Sequence, residues 1–193
     1  MGCDMKILIS LHGVRSKQKD NWQDDLGKYI KDSGRTDIKH LIYKFGWIPA
    51  FYSVIPFIRN YHTKRFNKWL RQYNLTPNIY IVAHSFGTFI GFHGSNDVDK
   101  LILFGSILHC RENFTGIVPD RINEIHNFHS LEDEVAKYAP QGHAGYYGFR
   151  KTKKKKWHRH PYPKKKITNH RLFLPEHTEY FDNDRFNDIL KLL

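Results

Sequence analysis

The sequence predicts an α/β fold, a mostly parallel sheet of about six strands flanked by helices. Three observations predict it. Continuous apolar runs of strand length recur along the 193 residues, stretches with apolar residues at helical spacing alternate with them, and the runs stop at turn-forming residues. Such alternation implies right-handed βαβ units and a sheet covered on both faces.

Met5 to Leu11 reads as the first strand, apolar on both faces as in a buried parallel sheet, and His12-Gly13 breaks it. From Asp20, an N-cap residue, Trp22, Leu26, Tyr29 and Ile30 recur at helical spacing until Ser33-Gly34. Ile38 to Phe45 is a second strand. A helix follows from about Phe57, with Ile58, Tyr61, Phe66, Trp69, Leu70 and Tyr73 on one side. Asn78 to Ala83 is the third strand, followed by His84-Ser85-Phe86-Gly87 and another helix, and Lys100 to Phe104 is the fourth. Ile122 to Phe128 and His170 to Leu174 complete the set, each followed by a short helical pattern. There are no internal repeats. We expect one domain over 1–193, with a basic loop or hairpin insertion at about 140–168.

Composition narrows the class. With 40% hydrophobic and 15% aromatic residues the chain is too apolar for disorder, and no run approaches the roughly 20 apolar residues of a membrane-spanning helix. Cys3 and Cys110 are too few for a disulfide framework, which suits a reducing cytoplasm. The start Met1-Gly2-Cys3 lacks the Ser or Thr that acylation wants, since Lys6 stands there. The net charge of +12 is concentrated. Between Arg150 and Lys166 lie 10 Lys or Arg and no acid, leaving 21 Lys and Arg against 19 Asp and Glu in the other 176 residues. This run at 150–166 is either a site for a polyanion, nucleic acid or an anionic membrane surface, or a solvated excursion with no partner. His158 and His160 make only two metal ligands, so no metal is expected.

In an open parallel sheet, ligands sit at the carboxyl ends of the strands. Ser85 stands there, in Ala83-His84-Ser85-Phe86-Gly87. A serine between strand and helix occupies a strained turn, and the positions two before and two after it must be small. Ala83 and Gly87 are. In this pentapeptide the chain resembles the α/β-hydrolase family, whose motif is Gly-x-Ser-x-Gly, with Ala83 as a mild departure. The resemblance implies a minimal α/β-hydrolase fold without the antiparallel strands that usually precede the core, and without a full cap domain.

The resemblance also implies roles. Ser85 becomes the nucleophile. His12-Gly13-Val14 is similar to the family's oxyanion loop, so the backbone N–H groups of Val14 and Phe86 would hold the oxyanion, with Arg15 as the alternative to Val14. The acid falls in Ser130-Leu131-Glu132-Asp133-Glu134-Val135. Asp133 is preferred because Asp-x-Val resembles the family's acid loop, its valine starting a helix that buries the side chain. Glu132 is the alternative. His177, after the last strand, is the base, with His170 and His160 as alternatives among 13 histidines. Ser, Asp, His is the chain order this fold uses.

Together these imply a serine hydrolase acting on a small-molecule carboxylic ester or thioester, with no cofactor or metal. An amidase or peptidase with the same triad, and a non-catalytic module binding nucleic acid or anionic lipid through the basic arm, remain open. Two further segments bear on the substrate. Gly46 to Ile58 is uncharged and aromatic, and reads as a buried crossover in preference to an acyl pocket or small lid. Gly142 to Phe149 reads as a loop or hairpin near the mouth of the site.

Overall fold

The computed structural model describes residues 5–14, 22–46, 48–73, 78–118, 120–140, 142–150, 166–173, 177 and 179–193. Six strands form one sheet: β1 (Lys6–Leu11), β2 (Ile38–Tyr43), β3 (Ile79–His84), β4 (Val98–Phe104), β5 (Ile122–Ser130) and β6 (Ile167–Leu172). Their order is β2-β1-β3-β4-β5-β6, and every pairing is parallel.

Alternate residues of a strand point to opposite faces, and here both faces are covered. Ile7, Ile9 and Leu11, with Ile79, Ile81 and Ala83, join one apolar cluster; Leu8, Tyr80 and Val82 join the other. This is why β1 and β3 read as continuous apolar runs. On the first face lie α2 (Pro56–Leu70), which buries Phe66 and Leu70, and α3 (Phe86–Gly94), which buries Phe86 and Ile90. On the second lie α1 (Trp22–Asp32), with Trp22, Leu26 and Ile30 at a four-residue spacing, and α6 (Asn183–Leu192), with Phe186 and Ile189. Asp182 caps α6 by accepting from the Arg185 N–H, and Pro56 opens α2 at a position where its missing N–H costs nothing. Two short helices, α4 (Glu134–Tyr138) and α5 (Ala144–Tyr147), follow β5.

Four expectations need correction. The last strand begins at Ile167, so His170 lies inside it. The Gly46 to Ile58 segment is not a buried crossover. Ile48 is buried, but Phe51 and Phe57 are 62% and 78% exposed, and a 3-10 turn over Ala50–Val54 leads into α2. Nor does Tyr61 share the buried side of α2, whose inward residues are His62, Phe66 and Leu70. Gly142 to Phe149 contains α5 and is not a hairpin. Among the described residues, no helix is long and apolar enough to cross a membrane. Residues 151–165, which hold most of the basic run, and Cys3, Arg15 and His160 lie outside the described residues.

Candidate active site

The sheet order places β1 and β3 side by side, with β2 beyond β1, so the strand order reverses between them, which is where open parallel sheets bind ligands at the carboxyl ends of their strands. Ser85 sits at the end of β3 with φ 51° and ψ −120°, a left-handed conformation that a side chain other than glycine's rarely adopts. Its N–H donates to the Phe104 carbonyl of β4 at 3.1 Å, which ties the turn to the neighbouring strand. The end of β1 packs directly on this turn. A Cβ at Gly13 would stand 2.9 Å from the Ser85 Cβ, and one at Gly87 would stand 2.6 Å from the His12 carbonyl oxygen. Glycine at both positions is what lets strand, turn and helix meet. Phe86 is the first residue of α3, so its N–H has no intrahelical acceptor. His12 stacks on Phe45 at 4.0 Å between ring centroids, and its Nδ1–H donates to the Gly13 carbonyl at 2.6 Å.

Asp133 ends the loop after β5 and caps α4. It is fully buried and accepts three kinds of hydrogen bond: from the Ala136 N–H at 2.7 Å, from His177 Nδ1 at 2.8 and 2.9 Å on its two oxygens, and from the Tyr180 hydroxyl at 2.8 Å. Burial pushes its carboxyl upward, but His177, the Ala136 N–H and the Tyr180 O–H together outweigh that and hold it below its ordinary value. Two of the alternatives, Glu132 and His170, have other surroundings. Glu132 is exposed, and His170 lies 3.1 Å from His126 and stacks on Phe128. Val135 is exposed as well; the residue α4 buries is Ala136.

The tautomer of His177 follows from its partner. A carboxylate only accepts, so Nδ1 carries the hydrogen and Nε2 of the neutral ring is left with its lone pair. That Nε2 is buried and has no hydrogen-bond partner among the described residues. His84, beside Ser85 in sequence, faces the same ring at 4.7 Å between centroids, and its Nε2–H donates to the His177 carbonyl at 3.1 Å. Burial, followed by the neighbouring His177, depresses His84 to about 3, so it stays neutral. Thus Asp133 and His177 meet in a direct hydrogen bond, and His177 and the Ser85 turn meet through His84. Val14 follows Gly13 and packs partly buried against the cluster that contains Phe86.

Tyr180 and His84 are the residues the sequence reading missed. Tyr180 is three residues after His177, with no motif to mark it, and His84 fills a position where the pentapeptide accepts any residue. Among the described residues, no group of three or more His, Cys, Asp or Glu is arranged to hold a metal ion.

No protein-family model matches the chain, and no curated protein matches it in sequence. Solved structures do. A protein of Xanthomonas campestris pv. campestris assigned to the hydrolases of the alpha/beta superfamily has a TM-score of 0.62 at 14% identity, over 97% of this chain and 99% of that one. Esterase PE8 has a TM-score of 0.60 at 14% identity, over 97% and 90%. An α/β serine hydrolase without lid from Xanthomonas campestris has a TM-score of 0.55 at 13% identity, over 95% and 76%. The chain has the α/β-hydrolase fold.

Proposed function

We propose that this chain is a serine hydrolase that cleaves a carboxylic ester or thioester through an acyl-enzyme intermediate. One observation carries the reading. A buried Asp133–His177 pair leaves Nε2 of the imidazole without a partner, at the end of the sheet where Ser85 occupies a strained strand-to-helix turn. Hydroxyl oxygen is a weak nucleophile at neutral pH, so Ser85 Oγ needs a base, and neutral His177 Nε2 takes its proton as Oγ attacks the carbonyl carbon. Asp133 holds the ring in the required tautomer and stabilises the imidazolium. The backbone N–H groups of Phe86 and Val14 stabilise the oxyanion. The imidazolium then protonates the leaving group, and water, deprotonated by the same nitrogen, releases the acid and restores Ser85.

Esters are favoured over amides because esterase PE8 shares the fold over nearly the whole chain. The Lys and Arg run at 150–166 supports a polyanion contact on charge alone.

The test is a double-mutant cycle on a short activated ester. Ser85→Ala and His177→Ala should each lower kcat by about 10⁴-fold or more, and the double variant should lose little further, because the pair acts as a unit. Additive losses contradict the proposal.

A further inference from the structure

We propose that the outer face of α2, with the 3-10 turn before it, is a docking surface for an anionic lipid bilayer. This surface is independent of whether Ser85 is a nucleophile. It lies on the helix that packs against α3, with the Arg59 guanidinium seated over the Phe89 ring at 4.2 Å.

Large apolar side chains are concentrated where the segment meets solvent. Phe51, Phe57 and Tyr61 are all more than half exposed, and Tyr52 and Ile55 are exposed beside them. The Phe51 and Tyr52 rings lie 4.2 Å apart. Single exposed apolar residues are ordinary, but five of them between residues 51 and 61, on one turn and the helix it leads into, mark a surface that meets a partner. Helical spacing extends the group: positions 57, 61, 64 and 68 fall on one face, opposite the buried His62, Phe66 and Leu70. That outer stripe therefore runs from Phe57 and Tyr61 to the exposed Lys64 and Lys68, with exposed Arg65 and Arg71 alongside.

The sequence of this segment carries charge of one sign. From Ile38 to Asn96 the sequence contains no Asp or Glu, but has Lys39, Lys44, Arg59, Lys64, Arg65, Lys68 and Arg71. Glu112 bears on Arg59, but an apolar partner alone would leave the exposed Lys64, Arg65, Lys68 and Arg71 without a counter-charge. A nucleic acid would pair with them and stack on the rings, yet it offers nothing to Ile55 or to the exposed Pro56. A bilayer surface containing anionic lipid meets both needs. Phenyl and isobutyl-sized groups enter the headgroup and acyl boundary, tyrosine hydroxyls remain at the headgroup level, and Lys and Arg reach the phosphates.

The experiment is vesicle co-sedimentation of the full chain at near-physiological salt, with phosphatidylcholine alone and with about 30% phosphatidylserine added. Two variants are compared with the wild type, Phe51→Ser/Phe57→Ser and Lys64→Glu/Lys68→Glu. All four positions are exposed, and far-UV circular dichroism verifies that the fold is kept. The expected result is binding to the phosphatidylserine vesicles that is at least about tenfold stronger than to phosphatidylcholine, with each variant weakening it by about tenfold or more. The Lys and Arg of 151–165 are intact in both variants, so wild-type binding by the aromatic variant overturns the proposal in favour of that run. Two other results also overturn it. One is a single-stranded oligonucleotide that binds while vesicles do not. The other is a wild-type dimer, dissociated by Phe51→Ser/Phe57→Ser, that ignores vesicles.

Discussion

Gly105, directly after β4, and His177 compete for one volume: a Cβ on Gly105 would lie 2.7 Å from the His177 Cε1 and 2.9 Å from its Nδ1. Gly105 also has φ 52°, which costs any other residue about 1–2 kcal/mol. The imidazole is thus held between Asp133 on one side and bare backbone on the other. Gly105→Ala should lower kcat on a short ester by about 100-fold, since small displacements of a reacting group are costly. Steady-state kinetics checks this, and an unchanged kcat would mean that the ring position at Gly105 is unimportant.

Tyr180 acts through Asp133. Its hydroxyl donates to the carboxylate at 2.8 Å from a fully buried ring, and burial together with that carboxylate pushes the phenol upward, so it remains a donor at any ordinary pH. Tyr180→Phe keeps the ring packing and removes only the hydrogen bond. Hydrogen bonds to charged groups contribute about 1.5–3 kcal/mol, so kcat should fall by roughly tenfold or more with KM nearly constant. Asp133→Asn should cost far more, and Glu132→Gln almost nothing. A Glu132→Gln loss that exceeds the Asp133→Asn loss would move the acid role.

Acid should unfold this protein through its histidines before its carboxylates. Burial is the largest influence on His12, His40, His62, His84, His93, His126, His129 and His170 and lowers all eight, with His40 and His93 at about 4 and His84 at about 3. Their folded values lie below the unfolded value near 6.5, so between about pH 3 and 6.5 the unfolded chain binds more protons. Stability is therefore full above about pH 7 and declines as pH falls through 6.5 towards 4. Urea midpoints measured at intervals from pH 8 to 4 should show that decline, and a flat profile from pH 7 to 5 contradicts it.

Much of the fold was legible because its signals are local. Apolar runs at β1 and β3 specify a sheet covered on both faces, and the small residues around Ser85 specify a tight strand-to-helix turn. Asp133 and His177 could be chosen as residues following β5 and β6, but the reason given for Asp133 failed at Val135. Its side chain points to solvent, and α4 turns Ala136 inward in its place. Burial of Phe51 and Phe57 failed for a related reason. Hydrophobicity measures the gain from being covered, whereas coverage depends on what the rest of the chain places opposite. Tyr180 and His84 were invisible, because the contacts that give them meaning, Asp133 and the His177 carbonyl, lie 47 and 93 residues away.

Covalent labelling decides whether Ser85 is the nucleophile. A fluorophosphonate probe reacts much faster with an activated hydroxyl than with an ordinary one, and intact-mass and peptide mass spectrometry locate the adduct. Wild-type protein should carry one adduct on Ser85, and Ser85→Ala should carry none under the same conditions. Undiminished labelling of Ser85→Ala, or an adduct on another residue of the wild type, would contradict the account.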